Sequence, residues 1–148
     1  MSEHPTPTDD RFEVRRLRKR KVVDTSTAET IGRVAGVHLD ASRSAVSSLR
    51  LKGRHAGHIP YADVISVGPD AVTVRSADVV VEGDDAAPSD ADAIGSRVLD
   101  DAGYDLGTLK DLTVDQDGTI ASLSVDGSVV EGRIRGIGSY AVVVSRSG

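Results

Sequence analysis

The chain repeats one strand-and-turn pattern, and this repetition is the strongest constraint on the folds open to it. The first copy begins with Val22-Val23-Asp24 and continues, after a polar turn, with residues 31–40. The second copy begins with Val98-Leu99-Asp100 and, after a turn one residue shorter, continues with residues 106–115. In both copies a Gly precedes the closing Asp by eight residues. The pattern therefore predicts two small units of one kind.

The match extends further: residues 46–51 correspond to residues 120–125, and residues 72–74 correspond to residues 142–144. Within these segments apolar and polar side chains alternate, as in Leu49-Arg50-Leu51, which is the period of a half-buried strand. Asp117-Gly118 and Asp126-Gly127 are hairpin signals, because Gly accepts positive φ angles at little steric cost. The repeated segments are therefore expected to be strands joined by tight turns.

The composition agrees with a strand-rich fold. Val is the commonest apolar residue, and its stiff branched side chain packs well on a pleated surface. No segment has the length and period of a substantial helix, and turn residues recur at roughly 8–12-residue spacing. We therefore predict an all-β protein that consists of two small antiparallel β-barrel units in tandem, with little helix.

The predicted boundaries are a flexible N-terminal tail (1–14), a first unit (15–76), an acidic linker (77–92) and a second unit (93–148). Each unit is too small to bury a large core, so the units are expected to lean on each other or on a partner. Separate barrels and an exchange of strands between them are both open at this point.

Several features bear on location. The sequence has no Cys and no apolar run near the roughly 18 residues that span a bilayer. The polar residues 1–10 lack the pattern of a signal peptide, so a cytoplasmic location is expected. Arg outnumbers Lys, and Ala, Gly, Val and Asp are abundant, as is typical of chains from GC-rich bacteria or archaea.

The repeated pattern resembles the PRC-barrel family, named for the cytoplasmic barrel of the photosynthetic reaction-centre H subunit. The residues that carry the resemblance are 23–40, Ile59-Pro60-Tyr61-Ala62-Asp63-Val64 and 68–74 in the first unit, and 98–115 and 136–144 in the second. Two departures stand out. The second unit has Glu131-Gly132-Arg133-Ile134 in place of the Pro-Tyr-Ala-Asp stretch, and the first has Lys19-Arg20-Lys21 where a Gly-containing turn is expected. The resemblance implies a small barrel that docks proteins or RNA-containing particles, without conserved chemistry.

A basic run is the sharpest local feature, and six of its seven residues are cationic: Arg15, Arg16, Arg18, Lys19, Arg20 and Lys21. Such a run binds phosphates or an anionic membrane surface when it forms one patch, and is otherwise a solvated segment. Residues 1–76 carry 13 basic and 9 acidic side chains (net +4), and residues 77–148 carry 5 and 14 (net −9). We take the six cations as the candidate partner-binding residues.

No arrangement of residues predicts catalysis or a cofactor. His55 and His58, with His38 elsewhere, lack the further ligands that a zinc site needs, so no metal is expected. Residues 115–120 lack the Asp and Glu of a calcium loop, and Gly136-Ile137-Gly138 precedes a strand rather than a helix. Ser139 has no His within its unit to activate it.

These observations favour a non-enzymatic protein-interaction or adaptor module whose partner is another protein. The alternative is an RNA- or ribosome-associated factor that binds through the basic run, although few aromatics are available to stack on bases. Peripheral membrane contact and a homo-oligomer are further options. An enzyme is the least favoured class.

Overall fold

The computed structural model describes residues 11–53, 56–83 and 86–145, and most of these residues lie in two β-sheets. Sheet I contains β2 (Lys21–Asp24), β3 (Thr30–Asp40), β4 (Ala45–Lys52), β5 (Gly57–Pro60), β6 (Val64–Val67) and β7 (Ala71–Val74). Sheet II contains β1 (Phe12–Glu13), β8 (Arg97–Asp100), β9 (Asp105–Val114), β10 (Ile120–Val125), β11 (Ser128–Val130), β12 (Arg133–Ile137) and β13 (Ala141–Ser145).

Helical structure in the described residues is limited to single turns. The α-helices are α1 (Val14–Leu17) and α2 (Asp90–Ala93), and the 3₁₀ turns are Ala41–Arg43, Tyr61–Asp63 and Ala77–Val79. No helix in the described ranges is long and apolar enough to cross a membrane. The sequence prediction of a mainly β protein with little helix is confirmed.

The two sheets share one strand order, β5-β4-β3-β2-β7-β6 in sheet I and β11-β10-β9-β8-β13-β12 in sheet II, with β1 added on β9. Their registers also coincide. Val22 lies opposite Gly32 and Val72, and Val98 lies opposite Gly107 and Val142. The residues that occupy the same place in the two sheets are those that the sequence pattern matched.

Each sheet contains one parallel pair, β2 with β7 and β8 with β13. The expectation of wholly antiparallel units is wrong at these pairs, because residue periodicity reports which face a side chain occupies and not the direction of a neighbouring strand. A parallel pair needs a long connection, which the intervening four strands supply. In the described residues neither sheet closes into a barrel, since β5 and β6, and likewise β11 and β12, remain unpaired with each other.

Two arms cross between the sheets. The first arm, residues 12–17, precedes sheet I but pairs with sheet II, where Phe12 lies opposite Val114 and Glu13 opposite Thr113. The second arm, residues 88–93, precedes β8 of sheet II but lies along β3, where the N–H of Leu39 donates to the Pro88 carbonyl at 2.7 Å. The first arm, which leads into sheet I, therefore lies on β9 of sheet II. The second arm, which leads into sheet II, lies on β3 of sheet I.

The crossing arms change the predicted tail and linker. Residues 12–14, assigned to a flexible tail, form β1 and the start of α1, because Phe12 and Val14 are buried in the core. Residues 1–10 lie outside the described residues. Within the segment predicted as linker, Val79 is buried and belongs to the same core cluster.

A reciprocal pair of backbone hydrogen bonds also joins the sheets. The N–H of Val46 donates to the Gly118 carbonyl at 2.8 Å, and the N–H of Ile120 donates to the Ser44 carbonyl at 2.9 Å. Val46 and Ile120 are matched residues, as are Ser44 and Gly118, so the contact has approximate two-fold symmetry. Buried residues of both sheets form one hydrophobic cluster.

The turn that precedes each first strand adopts a left-handed conformation. Lys19 has a φ of 73° before β2, and Gly95 has a φ of 99° at the matched position before β8. The N–H of Lys19 donates to the Val34 carbonyl, and the N–H of Gly95 donates to the carbonyl of Leu109. The Gly that the sequence pattern led us to expect is therefore replaced by Lys19, which holds the Gly conformation at a steric cost.

We predict that Lys19→Gly raises the free energy of unfolding by about 1 kcal/mol, because it relieves a Cβ clash at positive φ. Urea denaturation at neutral pH measures the change. Gly95→Ala is the matched reverse substitution: a Cβ there meets no atom within 4 Å, so only the φ preference is altered. Gly95→Ala should lower stability. An unchanged or lower stability of Lys19→Gly would contradict this account.

Candidate functional site

The structure splits the basic run between different surroundings. Arg16 and Arg20 line a cleft, Arg18 turns towards a buried carboxylate, and Arg15, Lys19 and Lys21 are exposed. The split follows from the local backbone, since α1 presents Arg15 and Arg16 outwards, and the turn at Lys19 reverses the chain before β2. The six candidate residues are therefore not brought together as one patch.

Arg18 pairs with Asp90, the first residue of α2. Its Nη2 lies 2.7 Å and its Nε 3.2 Å from Oδ2 of Asp90, and the N–H of Val37 donates to Oδ1 at 3.0 Å. The Asp90 side chain has no exposed surface, whereas that of Arg18 is 39% exposed. A Cβ on Gly36 would lie 2.4 Å from Oδ1, so Gly at this position lets the carboxylate pack on β3.

The local sequence places Asp90 for this contact. Ser89 caps α2: its hydroxyl accepts the N–H of Asp92, and the Asp92 carboxylate accepts the N–H of Ser89. The N–H and the hydroxyl of Ser89 both donate to the Asp92 carboxylate, and these two bonds hold the pKa of Asp92 below its usual range. Arg18 therefore connects the start of β2 to the second arm through Asp90, and it is not available as a free partner-binding cation.

We predict that Asp90→Ala lowers the free energy of unfolding by about 1–3 kcal/mol, because the buried N–H of Val37 loses its acceptor and Arg18 loses its ion-pair partner. Chemical denaturation measures the loss. Asp105→Ala is the control, because Asp105 also accepts two bonds from one arginine, Arg97, but both side chains are exposed. The control should cost only a small fraction of the Asp90 effect. Equal losses for the two variants would refute the role of burial.

A cleft of about 840 Å³ lies where the first arm meets β6 and β9. Arg11, Arg16 and Arg20 contribute cationic groups to its lining, and Gln116 contributes an amide. Acidic neighbours offset part of this charge, because Arg11 pairs with Asp115 at 2.7 Å and Arg16 pairs with Glu13 at 3.1 Å. The cleft is suited to a small anion or a phosphate group, although only two of the six predicted cations line it.

Arg20 is partly used by the fold. Its Nη1 donates to the Gly68 carbonyl at 2.8 Å, and its Nη2 donates to the Arg16 carbonyl at 3.1 Å. The backbone N–H of Arg15 donates to Asp111 at 3.0 Å, while its side chain remains exposed. The basic run therefore contributes as much to joining the sheets as to a binding surface.

His38 and His58, the histidines that the structure describes, lie beside each other. The rings of His38 and His58 are 6.3 Å apart, and their Nδ1 atoms bond to the carbonyls of Ala87 and Gly83. Nε2 of the buried His38 has no hydrogen-bond partner. His55 lies outside the described residues. Among those that are described, no three His, Cys, Asp or Glu side chains form a group that could hold a metal.

Tyr61 and Gln116 form a further contact between the two sheets. The Tyr61 hydroxyl donates to the Gln116 carbonyl at 2.7 Å, and the Gln116 side chain bonds to both the N–H and the carbonyl of Val67. Burial of the ring, with a smaller effect of the Asp117 charge, raises the pKa of Tyr61 to about 12. The neutral phenol is therefore the form that the junction holds.

This raised pKa predicts an alkaline step in stability. The unfolded tyrosine titrates near pH 10, so the stability that the neutral hydroxyl supplies is complete below about pH 10 and is lost as pH rises towards 12. Tyr61→Phe removes the hydrogen bond and should cost about 1 kcal/mol at pH 8. The difference in unfolding free energy between the two proteins, measured by urea denaturation from pH 8 to 12, should shrink above pH 10. A constant difference would contradict the assignment.

The outer strand edges differ in how they are covered. The N–H and carbonyl of His58 on β5 bond to Val81, both at 2.8 Å, and β6 is bonded by Gln116. On β12, the N–H of Ile134 donates to the Ser44 hydroxyl at 3.0 Å. Among the described residues, only β11 has no such partner at its outer edge. Its central residue, Val129, is 70% exposed.

The position of Val129 in its sheet is that of His58. Val129 lies opposite Ser124, as His58 lies opposite Arg50, and the neighbouring Val130 and Ile59 are both buried. The N–H and carbonyl of Val129 therefore point away from β10, as those of His58 point away from β4. Sequence reasoning missed this edge, because hydrophobic alternation does not reveal which strand ends a sheet.

Comparisons of the sequence with models of known protein families and with curated proteins found no match.

Proposed function

We propose that this chain is a non-enzymatic protein-interaction or adaptor module of tandem PRC-barrel type, acting in the cytoplasm. The shared strand order and register of the two sheets support the tandem-unit part of the proposal. The sequence pattern that resembles the PRC-barrel family supports the family assignment. The observation that carries the interaction role is the uncovered edge of β11, where an exposed Val129 presents a free N–H and carbonyl. Such edges bind other chains through added strands.

A rigid frame supports this role. The crossed arms, the Arg18–Asp90 ion pair and the reciprocal bonds at Val46 and Ile120 hold the sheets together, so β11 is presented on a fixed surface. Binding sites are commonly loops or edges that such a scaffold positions. The chain thus needs no catalytic group to act as a connector between other molecules.

The second candidate is an RNA- or ribosome-associated factor, favoured by the cleft with Arg11, Arg16 and Arg20. Phosphate groups suit such a cluster of guanidinium groups. The nearby Glu13 and Asp115, and the internal use of Arg18, reduce the charge available for a long nucleic acid. We therefore rank it below protein docking.

We predict that Val129→Pro abolishes capture of a specific partner protein from extracts of the native host, because proline removes the outward N–H. A proline is tolerated on an edge strand where its nitrogen faces solvent, so the fold should survive. Captured proteins are identified by mass spectrometry, and binding is repeated with the purified partner. Val129→Thr, which keeps the N–H, is the matched control and should still bind.

A parallel variant with Arg11, Arg16 and Arg20 changed to Ser separates the two candidate functions. Recovery of the same protein by this variant and its loss by Val129→Pro support the docking role. Recovery of RNA or ribosomal material by the unaltered protein, with its loss in the Ser variant alone, would replace the docking role by the second candidate. Circular dichroism and thermal melting confirm that each variant is folded.

A further inference from the structure

We propose that β11 binds an extended, Val-rich or Ile-rich segment of a partner protein, flanked by basic residues, as an added antiparallel strand. The proposal rests on the interaction role inferred above and names the chemistry of the partner. In sheet I, a segment of the chain itself already occupies the matching edge.

In sheet I, the occupant is the stretch Ala77-Asp78-Val79-Val80-Val81. Val81 pairs antiparallel with His58 through two backbone bonds of 2.8 Å. Four residues earlier, the N–H of Ala77 donates to Oδ2 of Asp24 at 3.2 Å. Ala77–Val79 form a 3₁₀ turn and Val80 is extended, so this edge accepts one β-branched residue, Val81, as its antiparallel partner.

Sheet II offers the same two contact points without an occupant among the described residues. Val129 takes the place of His58, and Asp100, at the end of β8, takes the place of Asp24. Oδ1 of Asp100 accepts the N–H groups of Ala102 and Tyr104, and no described residue bonds to Oδ2. A partner segment that turns as Ala77–Val79 do before it pairs with Val129 would bring an N–H group towards this carboxylate.

β11 differs from β5 at the residue before the pairing position. Gly57 has a φ of 156°, and a Cβ there would lie 2.2 Å from the Val81 carbonyl oxygen, so the close approach of Val81 requires a glycine. The matching residue in β11 is Ser128, which does not have a positive φ. A strand that pairs with Val129 therefore has to lie at the ordinary distance between neighbouring strands.

The acidic residues beside β11 favour a partner segment that has basic residues on both sides of its apolar stretch. Asp126 and Glu131 border β11 and are exposed, and residues 77–148 carry a net charge of −9. A basic residue on either side of the apolar stretch would lie near these carboxylates. The same charges disfavour a second copy of the chain, because two antiparallel β11 strands would bring their acidic flanks together over a strand only three residues long.

The test uses a synthetic peptide, Ala-Lys-Val-Val-Val-Lys-Gly, which is the chain's own residues 77–83 with both acidic positions changed to Lys. Binding to the intact 148-residue protein is followed by ¹H–¹⁵N NMR at low salt. We expect saturable shifts centred on Ser128–Val130, weaker binding as salt is raised, and weaker binding of the parent peptide with Asp and Glu. Val129→Pro should weaken the affinity by about tenfold or more, through the loss of one backbone hydrogen bond and the clash of the ring. Val129→Thr should retain it.

Each other outcome counts against the proposal. Shifts confined to His58 and its neighbours would mean that the peptide displaces the segment at Val81 and that β11 is not the acceptor. Concentration-dependent shifts at β11 without peptide would identify a second copy as the occupant. Absence of peptide binding, together with a captured partner that Val129→Pro still loses, would refute the strand chemistry and leave the proposed function standing. If the peptide does not bind and Val129→Pro still captures the same proteins as the unaltered chain, both the strand chemistry and the proposed function are refuted.

Discussion

The buried carboxylate of Asp90 is the contact on which the arrangement of the two sheets depends most. It has no exposed surface, and it accepts hydrogen bonds from Arg18, which follows the first arm, and from the backbone of Val37 on β3. Three segments that are distant in the sequence therefore meet at one charge. A buried carboxylate is costly unless all of its hydrogen-bond partners are in place. The Arg18–Asp90 ion pair therefore specifies how the arms lie, even though its net contribution to stability is modest.

Around this contact, the molecule is built from two exchanged halves. Each arm leads into one sheet and lies on the other, and the strands β4 and β10 begin with reciprocal backbone bonds. A unit of this size buries too little surface to be stable alone, and exchange lets both halves share one core. The basic run illustrates the consequence: Arg18 bonds to the second arm, and the backbone of Arg15 bonds to Asp111 on β9, so a segment that looks like a surface patch is partly structural.

The approximate symmetry is informative where it fails. Sheet I has Val81 along the edge of β5, and the described part of sheet II has nothing along the edge of β11. Because the registers coincide, Val129 holds the place of His58, the residue that pairs with Val81 at the occupied edge. A repeat thus serves as an internal reference for function: differences between matched positions, such as His58 and Val129, locate candidate sites that the composition does not reveal.

The sequence by itself determined the strand character, the matched residues of the two halves and several turns, because hydrophobic period and Asp-Gly pairs act within a few residues of each other. The Asp126-Gly127 hairpin has positive φ at both residues, as expected. The family resemblance led us to expect a Gly-containing turn at Lys19-Arg20-Lys21, and Lys19 has a positive φ there. Tertiary structure alone decided the parallel pairs, the crossing of the arms, the capture of Arg18 by Asp90 and the open edge of β11. The parallel pairs, the arms and the ion pair depend on contacts between residues 44 or more positions apart, and local residue preferences carry no information about such distant partners.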